Sequence, residues 1–135
     1  MPQYWLLKTE PSTYSYEDLV KDKKTRWDGV TNPFALRNIR ATKKGDLVFI
    51  YHTGDEKSIV GIGEIISDPY PDEKHKGLFV FDIAPKRKLK RPVTLAEVKA
   101  KKFFEHFELV KYSRLSVMPV KEQYWKEILK MAGEE

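Results

Sequence analysis

Trp27 is the residue whose type and setting suggest the most distinctive chemistry. It stands in Arg26-Trp27-Asp28-Gly29-Val30-Thr31, a stretch whose Asp, Gly and Thr read as a turn, just ahead of a helix start at Asn32-Pro33. A large aromatic in a turn suits a stacking wall, because unpaired bases lie flat on such rings at about 1–3 kcal/mol per base by alanine substitution. The competing reading is a tryptophan that closes one end of the core. Trp5 and Trp125, in strand and amphipathic-helix settings, read as core. A second group consists of polar residues among apolar strand residues: Thr9, His52 with Thr53, and Ser116 between Leu115 and Val117. Taken singly, each reads as a satisfied structural group. Their number favours a pocket, since reading base edges requires donors and acceptors of this kind.

Cations supply the complementary feature. At about 100° per residue, Arg37, Arg40 and Lys44 form one stripe of the helix that follows Asn32, while Ala35, Leu36 and Ile39 face inward. A basic run, Lys86 to Arg91, lies between Pro85 and Pro92 and suits either phosphate contact or a charged sheet edge. Both stripes also read as solvated faces. The chain has 25 Lys and Arg against 20 Asp and Glu, for a formal charge of +5. That surplus favours an acidic partner such as nucleic acid and leaves the fold undecided.

Several functions are disfavoured. Without cysteine there are no disulfides, thiolate metal sites or cysteine nucleophiles. His52, His75 and His106 show no pairing at helical spacing, so neither metal nor other cofactor is expected. Gly61-Ile62-Gly63 lacks the third glycine of a phosphate loop, and no serine occupies a nucleophile elbow, so a non-enzymatic binder is expected. The rival is an enzyme acting on a nucleotide, with His52 as general base and Glu64 or Glu10 as acid partner. A small-metabolite sensor using the same pocket is a third reading. Lys8 and Glu10 interrupt the first apolar stretch, and no run approaches the ~20 apolar residues of a membrane span, so a cytoplasmic protein without a membrane partner is expected.

The elements that must position these residues are legible in outline. At 135 residues the chain fits a single domain spanning 1–135, and with 41% hydrophobic residues it can bury a core. Strands are read at Tyr4–Lys8, Leu47–Thr53, Ile59–Ser67, Leu78–Ile83 and Arg114–Val120. Leu47–Thr53 is apolar on both faces and therefore central. Gly61 and Gly63 share one face, where a backbone or ligand can approach closely. Ser15 caps a helix over Tyr16–Lys21, Asn32 with Pro33 starts another that Lys44-Gly45-Asp46 closes, and Thr94 with Glu97 forms a capping box. A last helix, Glu122–Ala132, turns Trp125, Ile128, Leu129 and Ala132 to one side and covers the sheet. Five or more short strands with inserted helices imply an α+β domain on a strongly curved sheet or barrel.

These blocks in register resemble the EVE domain family of the PUA-like superfamily: Tyr4-Trp5-Leu6-Leu7-Lys8-Thr9-Glu10-Pro11, Trp27-Asp28-Gly29-Val30-Thr31-Asn32, Lys44-Gly45-Asp46, Tyr51-His52, Pro69-Tyr70-Pro71-Asp72, Pro92-Val93-Thr94-Leu95 and Arg114 to Val120. The resemblance implies a PUA-like mixed β pseudobarrel of about five to six strands with short flanking helices. It also implies a pocket that binds nucleic acid, RNA or DNA, through a modified base. EVE domains are similar to YTH domains, which enclose a methylated adenosine in an aromatic cage; their Lys-Ser, Trp and Asn pattern is matched by Lys8-Thr9, Trp27 and Asn32. On that resemblance Trp27 is a stacking wall, Asn32 a base-edge partner and Tyr70 a second wall. The expected base-binding set is then Lys8, Thr9, Trp27, Val30, Asn32, Tyr51, His52, Tyr70 and Ser116, and the phosphate-binding set is Arg37, Arg40, Lys44 and Arg114. Thr9 replaces the serine of many relatives and adds a methyl group. Thr31 replaces the arginine of many relatives, whose phosphate or base contact is then either missing or supplied by Arg37.

Overall fold

A computed structural model describes residues 2–134. The elements, in chain order, are β1 (Tyr4–Thr9), α1 (Tyr16–Asp22), β2 (Thr25–Trp27), α2 (Pro33–Ala41), β3 (Leu47–His52), β4 (Ser58–Ile65), β5 (Tyr70–Pro71), β6 (Phe79–Thr94), α3 (Leu95–Lys99), α4 (Glu108–Lys111), β7 (Val117–Pro119) and α5 (Glu122–Met131), with one 3-10 turn over Lys102–Phe104. One mixed seven-stranded sheet runs β2-β6-β4-β3-β1-β7, with β5 added to β6. Only β1 and β3 pair in parallel, Tyr4 opposite Leu47 through Thr9 opposite His52. The α+β domain on a strongly curved mixed sheet expected from the sequence is the observed architecture, with seven strands in place of the five to six expected.

The additional strands have clear causes. Three residues give no period, and Arg26 and Trp27 fall in the stretch that reads as a turn, yet Thr25–Trp27 pairs with Ile83, Asp82 and Phe81 of β6. Strand β6 runs on from Ile83 through both prolines to Thr94. Pro85 falls opposite Gly63 beside a bulge. Pro92 lies in a second irregularity, where residues 89–92 stand against Val60 alone. Beyond Ile83 the outer side of β6 has no strand partner, so the basic run does occupy a sheet edge. Glu134 closes the irregularity by accepting from the Lys90 N–H at 2.9 Å and Arg87 Nε at 3.1 Å.

The core lies on both faces of the central strands. On one face α5 stacks Trp125 against Phe49 at 3.8 Å between ring centroids and against Tyr4 at 4.5 Å. Tyr16 of α1 covers β4, with its ring lying over Gly61, its hydroxyl donating to the Ile62 carbonyl at 2.8 Å, and burial pushing its pKa up to about 12. The side-chain-free face of β4 is therefore filled by Tyr16 and, at Gly63, by Ala84 and Val48. Ala35, Leu36 and Ile39 of α2 face inward as read. So does Asn38, which donates to the Val117 carbonyl at 2.7 Å. Asp46 is buried and accepts from the Gln3 N–H, Trp5 Nε1 and the Lys43 N–H, which ties the start of β1 to the turn before β3.

Helix α2 ends at Ala41, where Thr42 adopts extended backbone and donates its hydroxyl to the Ile39 carbonyl at 2.7 Å. Lys44 consequently stands in the following turn, and the expected cationic stripe reduces to Arg37 and Arg40. Among the described residues no helix is long and apolar enough to cross a membrane.

Two consequences are measurable. A Cβ at Gly61 would lie 2.5 Å from a ring carbon of Tyr16, whose hydroxyl is already anchored. Gly61→Ala is expected to destabilise the fold by about 1–3 kcal/mol in urea denaturation. Glu97 is held down to about 2 by the paired Arg91 guanidinium and by the Thr94 N–H, below its ordinary 4.5. Its folded pKa is thus depressed, so its contribution is complete above about pH 4.5 and lost as pH falls toward about 2. The stability gap between wild type and Glu97→Gln should be present at pH 7 and close across that window.

Candidate functional site

A cavity of about 650 Å³ opens where β1 ends, within the ~300–1,000 Å³ usual for ligand sites. Lys8 and Thr9 come from β1, Glu10, Thr13 and Tyr14 from the loop after it, and Thr25, Arg26 and Trp27 from β2. Asp28 to Asn32 come from the connection into α2, and Ser116 from just before β7. Gly29, with φ +78°, turns the chain between β2 and α2.

Trp27 is a strand residue, not a turn residue, and only 9% of it is exposed. The accessible remainder borders the cavity, so the ring is core on one side and wall on the other. Tyr14 meets it edge-on, with centroids 6.5 Å apart and planes at 82°. Val30, also buried, adds apolar lining.

The polar lining has defined hydrogen-bonding capacity. Thr9 donates its hydroxyl to the Tyr14 carbonyl at 2.7 Å and keeps acceptor lone pairs. Asn32 Oδ1 caps α2, accepting from the Phe34 N–H at 2.9 Å and the Ala35 N–H at 3.1 Å, which leaves its amide nitrogen as a donor. The Ser116 carbonyl accepts from the Lys8 N–H, and its hydroxyl has no partner among the described residues. Lys8 Nζ donates to the Ser113 carbonyl at 3.0 Å and lies 5.6 Å above the Tyr51 ring, while burial lowers its pKa. The rim carries both signs. Arg26 lies 3.9 Å from Asp28 and 3.7 Å from Glu73, and the N–H and hydroxyl of Ser12 hold the Glu10 carboxyl below its ordinary range.

Of the expected base-binding set, the cavity brings together Lys8, Thr9, Trp27, Val30, Asn32 and Ser116. Tyr51, His52 and Tyr70 are not in its lining. Tyr51 is buried beneath Lys8. His52 is directed at α1: Nε2 accepts from the Tyr16 N–H at 3.0 Å, and Nδ1 bonds Glu56 at 2.9 Å. Tyr70 belongs to β5 and donates to Asp82 at 2.7 Å. None of the expected phosphate ligands lines the cavity either. Arg37 and Arg40 are exposed on α2, the latter 5.5 Å over Phe79, and the Lys44 N–H donates to Asp68. Arg114 lies in a depression on the other side of Asn32.

Of the enzymatic rival's two acid partners, Glu64 is remote from His52, whereas Glu10 lies near it, His52 helping to lower the Glu10 carboxyl without hydrogen-bonding to it. Both ring nitrogens of His52 are engaged. Glu64 pairs opposite Leu47, at the far end of the β3–β4 ladder from His52, and faces Lys86 at 3.7 Å. The expected base-binding set lacks several lining residues, among them Thr13, Tyr14, Asp28 and Thr31, and also Thr25 and Arg26. The β-branched and aromatic residues of Thr25-Arg26-Trp27 were the available signal for the strand that places two of them.

A family model described as the EVE domain matches residues 3–131. Human thymocyte nuclear protein 1 is 29% identical over 171 aligned residues, covering 100% of this chain and 76% of the relative. The NMR structure of a Rhodopseudomonas palustris protein superposes with a TM-score of 0.92 and 43% identity, covering 97% of this chain and 93% of the other. The crystal structure of human THYN1 protein in complex with 5-methylcytosine-containing DNA gives a TM-score of 0.89 at 27% identity, covering 98% and 99%. An ASCH protein from Zymomonas mobilis shares the fold alone, with a TM-score of 0.59 at 11% identity over 96% and 95%. The match runs across nearly the whole length in sequence and in structure, and the chain belongs to the EVE domain family.

Proposed function

We propose that this chain binds nucleic acid and receives a modified base, unpaired or extruded from a duplex, in the cavity beside Trp27. The observation that carries the reading is the cavity itself, with an indole wall, apolar Val30 and unengaged hydrogen-bonding capacity at Thr9, Asn32 and Ser116. A planar guest lies along Trp27, the Asn32 amide donates to a ring acceptor, and Thr9 accepts from an exocyclic amine. The human relative bound to 5-methylcytosine-containing DNA supports the same guest class here. Extrusion costs a few kcal/mol, so unpaired or already weakened sites are favoured. Arg37, Arg40, Lys44 and Arg114 lie outside the cavity and serve the backbone phosphates, which position the strand without reading it. Binding proceeds without turnover.

Fluorescence anisotropy with plain and 5-methylcytosine oligonucleotides, as DNA and as RNA, at two salt concentrations tests the reading. The wild type should prefer the modified strand, and equal binding of both overturns the proposal. Trp27→Leu keeps the apolar fill but removes the indole, and should abolish the preference. Arg40→Ala should weaken all sequences alike and flatten the salt slope by about 0.7–0.9. Salt-insensitive binding of a free nucleoside alone would instead mark the small-metabolite reading.

Asn32 separates structure from recognition. Asn32→Asp retains a strong cap oxygen near the positive end of α2 and loses the amide donor. Its thermal midpoint should match or exceed the wild type while affinity for the modified oligonucleotide falls about tenfold, the donor's loss of about 0.5–1.5 kcal/mol being compounded by the added negative charge. Asn32→Ala should cost about 1 kcal/mol of stability as well.

A further inference from the structure

We infer that the depression on the far side of Asn32 is a subsite for the nucleotide that neighbours the one in the cavity. It takes that nucleotide's base on the Phe34–Tyr112 pair and its phosphate at Lys111 and Arg114. This inference rests on the reading proposed above. The depression, of about 330 Å³, is lined by Asn32, Phe34, Lys111, Tyr112, Ser113, Arg114 and Leu115. Asn32 belongs to both linings, so the two spaces adjoin at this residue.

Its aromatics are unusual for a surface. Phe34 is 39% and Tyr112 42% exposed, two of the four large hydrophobics that the described residues leave exposed, and their rings meet edge-on at 5.7 Å. The Phe34 N–H is bonded to Asn32 Oδ1, so the cap that fixes the Asn32 side chain also sets the start of the Phe34 side chain. Exposed aromatic faces beside cations form the combination on which successive bases stack.

Charge selects the occupant. The basic run on β6 is largely engaged, with Lys86 on Glu64, Arg87 on Glu134, Lys88 on Glu17 and Arg91 on Glu97. Lys111 and Arg114 have no carboxylate within salt-bridge distance among the described residues, and Lys111 lies 5.5 Å over the Tyr112 ring. Two cations without carboxylate partners beside two partly exposed aromatic rings complement a nucleotide, which brings a phosphate and a planar base together. The polar pairing seen on β6 has no counterpart here.

The test uses single-stranded DNA oligonucleotides with a central 5-methylcytosine and an abasic site on the 5′ or the 3′ side. They are bound to wild type, Tyr112→Ala, Phe34→Ala and Phe103→Ala, the last removing an aromatic that is 49% exposed elsewhere. An abasic site on one side should weaken the wild type about tenfold. That penalty should shrink to less than twofold in Tyr112→Ala and Phe34→Ala and persist in Phe103→Ala, as expected when residue and base interact directly. Arg114→Gln, which leaves both rings in place, should flatten the salt slope while preserving the abasic penalty. No abasic penalty in the wild type, or an equal one in all four proteins, overturns the subsite. If the wild type still prefers 5-methylcytosine and Trp27→Leu abolishes that preference, the cavity reading survives the subsite's failure. If the wild type shows no such preference, both fall.

Discussion

The parallel pairing of β1 with β3 is the constraint from which the site follows. Parallel neighbours cannot be joined by a tight turn, and the chain must leave the sheet and return to its starting end before β3 begins. Residues 10–46 make that journey and contain α1, β2 and α2. Eleven of the fourteen residues lining the cavity belong to this crossover, the exceptions being Lys8, Thr9 and Ser116. The cavity is the space left between the end of β1 and the connection that the parallel geometry imposes.

The residues around that space work for the fold and the site together. Trp27 packs in the core on one side and borders the cavity on the other. Asn32 turns one end of its amide to the helix and keeps the other end available. Thr9 uses its proton to hold the Tyr14 carbonyl and so fixes the loop that carries the edge-on ring. Such sharing makes the lining rigid, since each group is held by a bond that the fold needs in any case. Alanine substitutions here remove a fold contact and a piece of cavity lining together, whereas substitutions that keep the structural half of a side chain separate the two.

Local chemistry was legible in the sequence, and tertiary routing was not. The caps at Ser15, Asn32 and Thr94 are where the residue types place them, because an N-cap is decided within four residues. The central position of β3 followed from its two apolar faces. Strand β2 is too short to show a period, and the length of β6 depends on bulges that only the pairing with β4 reveals. Tyr51 and His52 adjoin cavity residues in register, but adjacency along a ladder does not say where a side chain is used. Tyr51 is covered by Lys8, and the first turn of α1 requires the acceptor that His52 provides. Tyr14 carried no signal of its own, because what makes it a wall is the neighbouring strand that brings Trp27 alongside.

The β1–β7 ladder has a consequence for biosynthesis. Trp5 pairs with Pro119 and Leu7 with Val117, so β1 waits for a strand made more than a hundred residues later. Until that segment leaves the ribosome, one apolar edge of β1 stays open, the kind of edge that recruits chaperones or other nascent chains. Ser116 arrives in the same late stretch, so the cavity cannot be complete before the edge is closed.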